Sequence, residues 1–126
     1  MNYWFSRHDP TPEQVMEMGT YQVVRGADIE IRGRESLIQV AEILNQVLHS
    51  AQPGDRLYGV FPPVIRAIFQ ANPWDWPHDP RHVEVWEAWN VERGSEHGAK
   101  TFRHHKFVRT GQFVPRSPQY IDEWER

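Results

Sequence analysis

The sequence predicts an α/β domain in which a parallel or mixed sheet is flanked by helices and extended by a C-terminal β-hairpin. Three observations support this class. Through residue 72, apolar strand-like and helical segments alternate in the order β-α-β-(β)-α-β-α, which is typical of such sheets. One segment has apolar residues at the i, i+3, i+4, i+7 spacing of an amphipathic helix. After residue 82, two long β-like segments bracket a glycine-containing turn.

The first two elements are a short buried strand over Asn2–Phe5 and a helix over Pro12–Met18. Thr11 is the expected N-cap, a proline occupies the first helical position, and Gln14 completes a Thr-x-x-Gln capping box. Gly19 is placed to end the helix. A strand that ends in polar residues and turns directly into a capped helix is typical of an α/β ligand site, which favours a negatively charged ligand.

The middle of the chain contains the clearest periodicity. Tyr21–Val24 is predicted to be the second strand, and Ile29–Ile31 a short edge strand. A helix is predicted from Glu35 to Ser50, followed by a strand over Arg56–Phe61 and a short helix over 64–71. The apolar face of the longer helix comprises Leu37, Val40, Ala41, Leu44, Val47 and Leu48.

The last third of the chain has a different character. Residues 73–80 are rich in proline and tryptophan and cannot form a regular helix. Val83–Val91 and Thr101–Val108 are predicted to pair as a hairpin around a turn at residues 94–98. The polar tail over 115–126 carries aromatic and aliphatic residues that are candidates for docking on the core or on another subunit.

Composition excludes several classes of function. At 126 residues the chain is expected to form one domain, and its net charge of −3 does not predict bulk attraction to nucleic acid. The absence of cysteine excludes disulfides, thiolate metal sites and cysteine nucleophiles. No apolar run approaches the ~20 residues of a membrane span, and the N-terminus lacks a signal-peptide pattern, so a cytoplasmic protein is expected.

Sequence motifs narrow the chemistry further. There is no Walker A loop, no G-x-G-x-x-G and no glycine-flanked nucleophilic serine, which argues against an ATPase, a dinucleotide-dependent dehydrogenase and an α/β serine hydrolase. Histidines and carboxylates do not follow metal-binding spacings. We therefore expect neither a metal nor a cofactor.

The first candidate site is the group Ser6, Arg7, His8 and Thr11. The arginine side chain presents a planar fork suited to phosphate, the histidine can transfer a proton near neutral pH, and the hydroxyls can orient a ligand. The alternative is structural: Arg7 pairs with a nearby carboxylate, either Asp9 or that of residue 13, and the histidine only caps the turn.

The second candidate is the turn that contains Gly59, Phe61 and Pro62. Gly59 permits close backbone approach near the end of a strand, and the turn would lie at the same sheet edge as residues 6–8. Two adjacent strand-to-helix turns that converge on one crevice predict a ligand pocket. Alternatively, the glycine and the prolines only shape a tight loop.

The third candidate is the basic hairpin strand with Arg103, His105 and Lys106. Strict alternation would place Arg103, His105 and Phe107 on one face, and residues 104, 106 and 108 on the other. Such a stripe suits a polyanion, but charges of this kind also protect an exposed edge strand from pairing.

A fourth feature is aromatic, because four of the six tryptophans lie close together in the sequence. They can stack nucleobases or can serve core and interface packing. These four are Trp74, Trp76, Trp86 and Trp89.

Two of these stretches together resemble the small CRISPR-associated ring nucleases. They are the strand ending Phe5-Ser6-Arg7-His8 with its Thr-Pro-Glu-Gln helix start, and the Gly-Asp-x-x-x-Gly-x-x-Pro turn over 54–62. The resemblance implies a Rossmann-like part over residues 1–72, a homodimer, and binding of a cyclic oligoadenylate messenger that several members cleave without metal. The pocket residues it implies are Ser6, Arg7, His8, Gly59, Phe61 and Pro62. The segment over 73–114, with the Trp/Pro-rich region and the hairpin, would be an addition to that part, and 115–126 a tail.

These considerations lead to one leading function and two alternatives. In the leading function the chain binds a cyclic oligonucleotide and cleaves it, with Arg7 holding the phosphate and His8 moving the proton, while Arg103, His105 or Lys106 closes over the ligand. The first alternative is a non-catalytic protein that sequesters the nucleotide. The second is a general nucleic-acid-binding or assembly protein that uses the basic hairpin and the tryptophans, with salt-dependent affinity for long RNA or DNA.

Overall fold

Five strands form one mixed sheet in the computed structural model, which describes residues 1–69, 82–96 and 98–115. The strands lie in the order β2-β1-β3-β4-β5; the first four are parallel, and β5 runs antiparallel to β4. The predicted α/β class, its mixed sheet and its C-terminal hairpin are confirmed. The strands are β1 (Asn2–Trp4), β2 (Gln22–Val23), β3 (Arg56–Gly59), β4 (Val83–Glu96) and β5 (Ala99–Phe113).

Helices cover both faces of this sheet. Helix α1 spans Pro12–Met18, α2 spans Arg34–Leu48, and a 3₁₀-helix spans Ile65–Ile68. Because side chains alternate along an extended chain, Trp4 packs with Met18 of α1, whereas Tyr3 and Phe5 belong to the α2-side cluster on the opposite face. The α2 face holds the larger core cluster.

The periodicity of α2 follows from the burial of one stripe. The predicted apolar face is confirmed, since its residues belong to the α2-side core while Gln39, Glu42 and Gln46 between them are exposed. Five of its residues are almost wholly buried: Leu37, Val40, Ala41, Leu44 and Leu48.

Two predicted elements differ in the structure. Residues 29–31 do not form an edge strand; Ile29 and Ile31 instead pack against the α2-side core, so their alternation reflects partial burial of a connecting loop. In place of the expected α-helix over 64–71 there is a 3₁₀-helix that begins one residue later, at Ile65, and ends at Ile68, because Phe69 is extended. Residues 70–71 lie outside the described residues.

The hairpin is longer than predicted, and it projects beyond the rest of the sheet. β3 pairs with β4 only as far as Gly59 opposite Glu87, whereas β4 and β5 remain paired to Glu96 and Ala99. The predicted turn at 94–98 is therefore shorter, because Gly94 still pairs with Thr101. We call the projecting part, residues 88–96 and 99–107, the ribbon.

A β-bulge overturns the strict alternation predicted for β5. Trp89 pairs with Lys106 and Asn90 with His104, so His105 is an extra residue in β5. His104 and Phe107 consequently lie together on the α1 face, with ring centroids 4.7 Å apart. Glu17 of α1 fixes them there: its carboxylate accepts hydrogen bonds from the Phe107 backbone N–H at 2.8 Å and meets His104 Nε2 at 2.9 Å.

The remaining sequence predictions concern segments outside the described residues. One is the Trp/Pro-rich segment over 73–80, with Trp74 and Trp76. The other is the predicted tail over 115–126, of which only residue 115 is described.

Among the helices that the structure describes, none combines the length and the apolar character needed to cross a bilayer.

Candidate functional site

The candidate site lies where the strand order changes direction. β2 and β3 both flank β1, and the chain passes over one face of the sheet through α1 and over the other through α2. At such a point the connections leave β1 and β3 in opposite directions and open a crevice beyond their carboxyl ends. This geometry puts residues 5–8 and 60–62 beside each other, as the sequence predicts.

A cavity of about 270 Å³ occupies this crevice. It brings together five of the predicted site residues, namely Ser6, Arg7, His8, Phe61 and Pro62. The volume is close to the lower end of the range for small-molecule sites, about 300 Å³. The remaining lining residues are Phe5, Ala27, Val60 and Ile65.

Residues 6–8 form the polar wall of this cavity. Two hydrogen bonds from side chains to backbone carbonyls hold this wall in place. The indole of Trp4, itself 2% exposed, donates a hydrogen bond from Nε1 to the His8 carbonyl at 2.7 Å. Arg7 donates from Nε to the carbonyl of Ala27 at 3.3 Å. The loop is thus tied to the α1-side core and to the β2–α2 connection, while the Arg7 and His8 side chains stay exposed.

The structural alternative for Arg7 is wrong for the described part of the chain. Arg7 forms no ion pair there with Asp9 or Glu13, and its only hydrogen bond uses Nε. Among the described residues, the two terminal guanidinium nitrogens have no partner, and a planar fork of this kind binds an anion in a bidentate manner.

The opposite wall of the cavity is apolar and aromatic. Phe61 stacks on Phe5, with ring centroids 6.3 Å apart and planes at 29°, and meets Phe69 edge-on at 5.1 Å. These contacts fix the ring orientation from behind. Phe5, Phe61, Val60 and Ile65 form the apolar side of the cavity, which suits a planar or apolar group.

Gly59 does not line the cavity but sets its width. A Cβ atom on Gly59 would lie 2.1 Å from the Phe5 backbone oxygen and 2.9 Å from the Phe61 ring. The sequence predicts a close backbone approach at Gly59. In the structure, the backbone that approaches Gly59 of β3 is that of Phe5, at the end of β1. This approach brings the two cavity walls together.

Thr11 caps α1 and is absent from the cavity lining. Its side-chain oxygen accepts from the Gln14 N–H at 3.3 Å, and Gln14 Oε1 accepts from the Thr11 N–H at 2.9 Å. The predicted capping box is confirmed, and it engages the hydroxyl that the sequence assigned to a ligand.

Replacing Thr11 with alanine is expected to lower the free energy of unfolding by about 1 kcal/mol, because the Gln14 N–H loses its acceptor. Urea unfolding monitored by circular dichroism measures the change. Thr11→Ser, which keeps the oxygen, is the matched control and should stay close to the wild type. Equal stability of all three proteins would contradict a capping role.

Arg103, His105 and Lys106 lie on the ribbon and do not line the cavity. His105 meets Trp89 edge-on at 5.0 Å, and Lys106 Nζ lies 5.3 Å from the centroid of the same ring. The structure thus groups His105 and Lys106 around Trp89, on the ribbon face opposite α1.

Four cavity residues were not predicted from the sequence: Phe5, Ala27, Val60 and Ile65. Ala27 reaches the site because the β2–α2 connection crosses the end of β1. No local sequence pattern predicts the path of this connection. Ile65 was predicted only to lie in the short helix over 64–71. Its 3₁₀-helix is held by Arg66, whose guanidinium donates two hydrogen bonds to Glu87 at 2.8 and 2.7 Å. The hydrogen bond to this carboxylate raises the pKa of Arg66.

No family model, curated protein or solved structure matches this chain. Within residues 1–69, 82–96 and 98–115, no three histidine or carboxylate side chains cluster in a way that would hold a metal ion. The chemistry of the site therefore has to be argued from its own residues: a cation with available donors, an exposed imidazole, a hydroxyl, and an aromatic wall.

Proposed function

We propose that the cavity between β1 and β3 binds a cyclic oligonucleotide. The observation that carries the proposal is the pairing, in one cavity, of Arg7 with the stacked ring of Phe61. Arginine suits a phosphate, and an aromatic wall suits a base. A cavity of about 270 Å³ matches one nucleotide unit of a larger ring, with the rest of the ring lying outside it. The resemblance to ring nucleases supports the same ligand class.

Cleavage is the second part of the proposal. His8 accepts the proton of a ribose 2′-hydroxyl, and the 2′-oxygen attacks the adjacent phosphorus. The bond from phosphorus to the 5′-oxygen breaks, and that oxygen takes a proton from water. The products are a 2′,3′-cyclic phosphate and a 5′-hydroxyl. Arg7 stabilises the charge that develops on the non-bridging oxygens.

Sequestration without turnover is the second candidate, and one observation favours it. In the part of the chain that the structure describes, no hydrogen-bond partner orients the imidazole of His8. A general base normally has its tautomer and direction fixed by such a partner. A protein that only holds the nucleotide does not need this.

The resemblance extends the proposal to biological context. It implies that the ligand is a cyclic oligoadenylate, that the protein acts in CRISPR-linked antiviral defence, and that it works as a homodimer. Light scattering on the purified protein measures the dimer directly, with and without ligand.

A thermal-shift screen against cyclic di-, tri-, tetra- and hexanucleotides tests the proposed function. A ligand at 100 times its dissociation constant stabilises the fold by about 2.7 kcal/mol, which moves the melting temperature by several degrees. Each mixture is then analysed for product. A shift with cleaved ligand supports cleavage, a shift with intact ligand supports sequestration, and no shift with any ligand overturns the proposal.

A further inference from the structure

The ribbon carries an exposed aromatic and basic surface that the cavity does not use. Beyond Gly59 and Glu87, β4 and β5 have no further strand beside them in the described part of the chain. On the ribbon face opposite α1, Trp89 is 49% exposed. A half-exposed tryptophan on a two-stranded projection contributes nothing to the described core clusters.

Two cationic side chains and one imidazole lie on the same face as this tryptophan. Lys106 Nζ lies over its ring, and the His105 imidazole meets its edge, because the bulge at His105 directs both towards the same neighbour. Arg103 pairs with Val91 two positions further along β4, which places its exposed side chain on the same face. We call Trp89, Arg103, His105 and Lys106 the Trp89 surface.

The charge of this surface is opposite to that of the whole chain, which is −3. Glu87 lies at its base, and the bidentate bond to Arg66 already engages that carboxylate. Neither Arg103 nor Lys106 pairs with a carboxylate among the described residues. If two copies of the chain paired through this surface about a two-fold axis, their positive charges would repel each other. The surface is therefore better suited to a polyanion than to a second copy of the chain.

We propose that the Trp89 surface binds single-stranded nucleic acid, with a base stacked on Trp89 and flanking phosphates held by Arg103 and Lys106. Stacking on an exposed aromatic ring beside cations requires an unpaired base, since bases inside a duplex present no free face. The site is separate from the cavity, because none of its residues lines the cavity.

Fluorescence anisotropy with a labelled single strand of about 12 nucleotides measures the interaction. Binding is expected to weaken about tenfold or more in Trp89→Ala. Trp89→Phe should retain part of the affinity, because a ring remains. Lys106→Gln should lower the affinity and reduce the salt slope by about 0.7, the value for one phosphate contact on a single strand.

Phe102→Ala is the matched control. Phe102 is 61% exposed on the opposite face of the ribbon, so its loss should leave single-strand binding unchanged. Thermal melts confirm that each variant is folded. An absence of single-strand binding at low salt, or equal affinity of Trp89→Ala and the wild type, overturns the proposal. Tighter binding to duplex than to the single strand also overturns it.

A competition experiment separates this proposal from the function proposed for the cavity. An excess of unlabelled cyclic nucleotides is expected to leave the labelled single strand bound, because the two sites are distinct. Displacement by the cyclic ligands would show that one surface serves both and would overturn the second site. A failed thermal-shift screen, by contrast, leaves the single-strand measurement intact.

Discussion

Replacing Gly59 with alanine is expected to lower the free energy of unfolding by at least about 3 kcal/mol, at the upper end of the range for overpacked sites. The added Cβ would lie 2.1 Å from the backbone oxygen of Phe5. Phe5 donates its own N–H to the Tyr58 carbonyl at 2.8 Å, so β1 cannot move away without breaking the ladder. The ring of Phe61, 2.9 Å from the new atom, would also have to shift.

Gly33→Ala is the matched control for this substitution. Its Cβ would meet nothing within 4 Å, and its backbone, with φ 169°, is extended. Alanine is a poorer N-cap for α2, so a loss of no more than about 1 kcal/mol is expected. Urea unfolding of both variants gives the comparison. Similar stabilities for Gly59→Ala and Gly33→Ala would show that β1 and β3 tolerate a wider separation.

The parts of the fold that could be predicted depend on local physics. Helix α1 has the predicted bounds, because its capping box and its terminal Gly19 are encoded within nine residues of sequence. The stripe of α2 follows from burial of one face. The convergence of residues 6–8 with Phe61 and Pro62 could also be predicted, since the carboxyl ends of parallel strands share one sheet edge.

The parts that could not be predicted depend on contacts between distant segments. The bulge at His105 arises from the register of β5 on β4, and it moves His104 to the α1 face, where Glu17 receives it. Ala27 enters the cavity through the path of a loop. Both outcomes are decided by tertiary packing, and period-two alternation or residue type within one segment carries no information about them.

The partly exposed cluster around Arg56 also depends on contacts between segments that are distant in the sequence. Its guanidinium lies 4.3 Å from the Trp86 ring centroid and donates to the Tyr58 hydroxyl at 3.1 Å. That hydrogen bond raises the pKa of Arg56, whereas burial lowers the pKa of the neighbouring Arg109. Three strands contribute to this cluster, so Trp86 has a packing role on the sheet rather than a place in a tryptophan surface.

Replacing Arg7 with alanine is expected to weaken binding of the cyclic ligand by about tenfold to a hundredfold, because hydrogen bonds to a charged group contribute about 1.5–3 kcal/mol. Arg7→Lys should recover only part of the loss, since an ammonium cannot form the bidentate pair. Calorimetric titration measures both affinities. The fold should be unaffected, because Arg7 is exposed and its hydrogen bond to the Ala27 carbonyl is long, at 3.3 Å. Unchanged affinity in Arg7→Ala would place the ligand elsewhere.

His8→Gln separates the two candidate functions of the same cavity. If His8 is the general base, this variant binds the ligand within a few fold of the wild type but cleaves it about 10²- to 10⁴-fold more slowly. Single-turnover cleavage measures the rate. A variant that cleaves at the wild-type rate would exclude His8 as the base. A wild-type protein that binds tightly and leaves the ring intact would instead assign Arg7 and Phe61 to sequestration, because the same contacts that hold a phosphate and a base in place do not by themselves supply a proton acceptor.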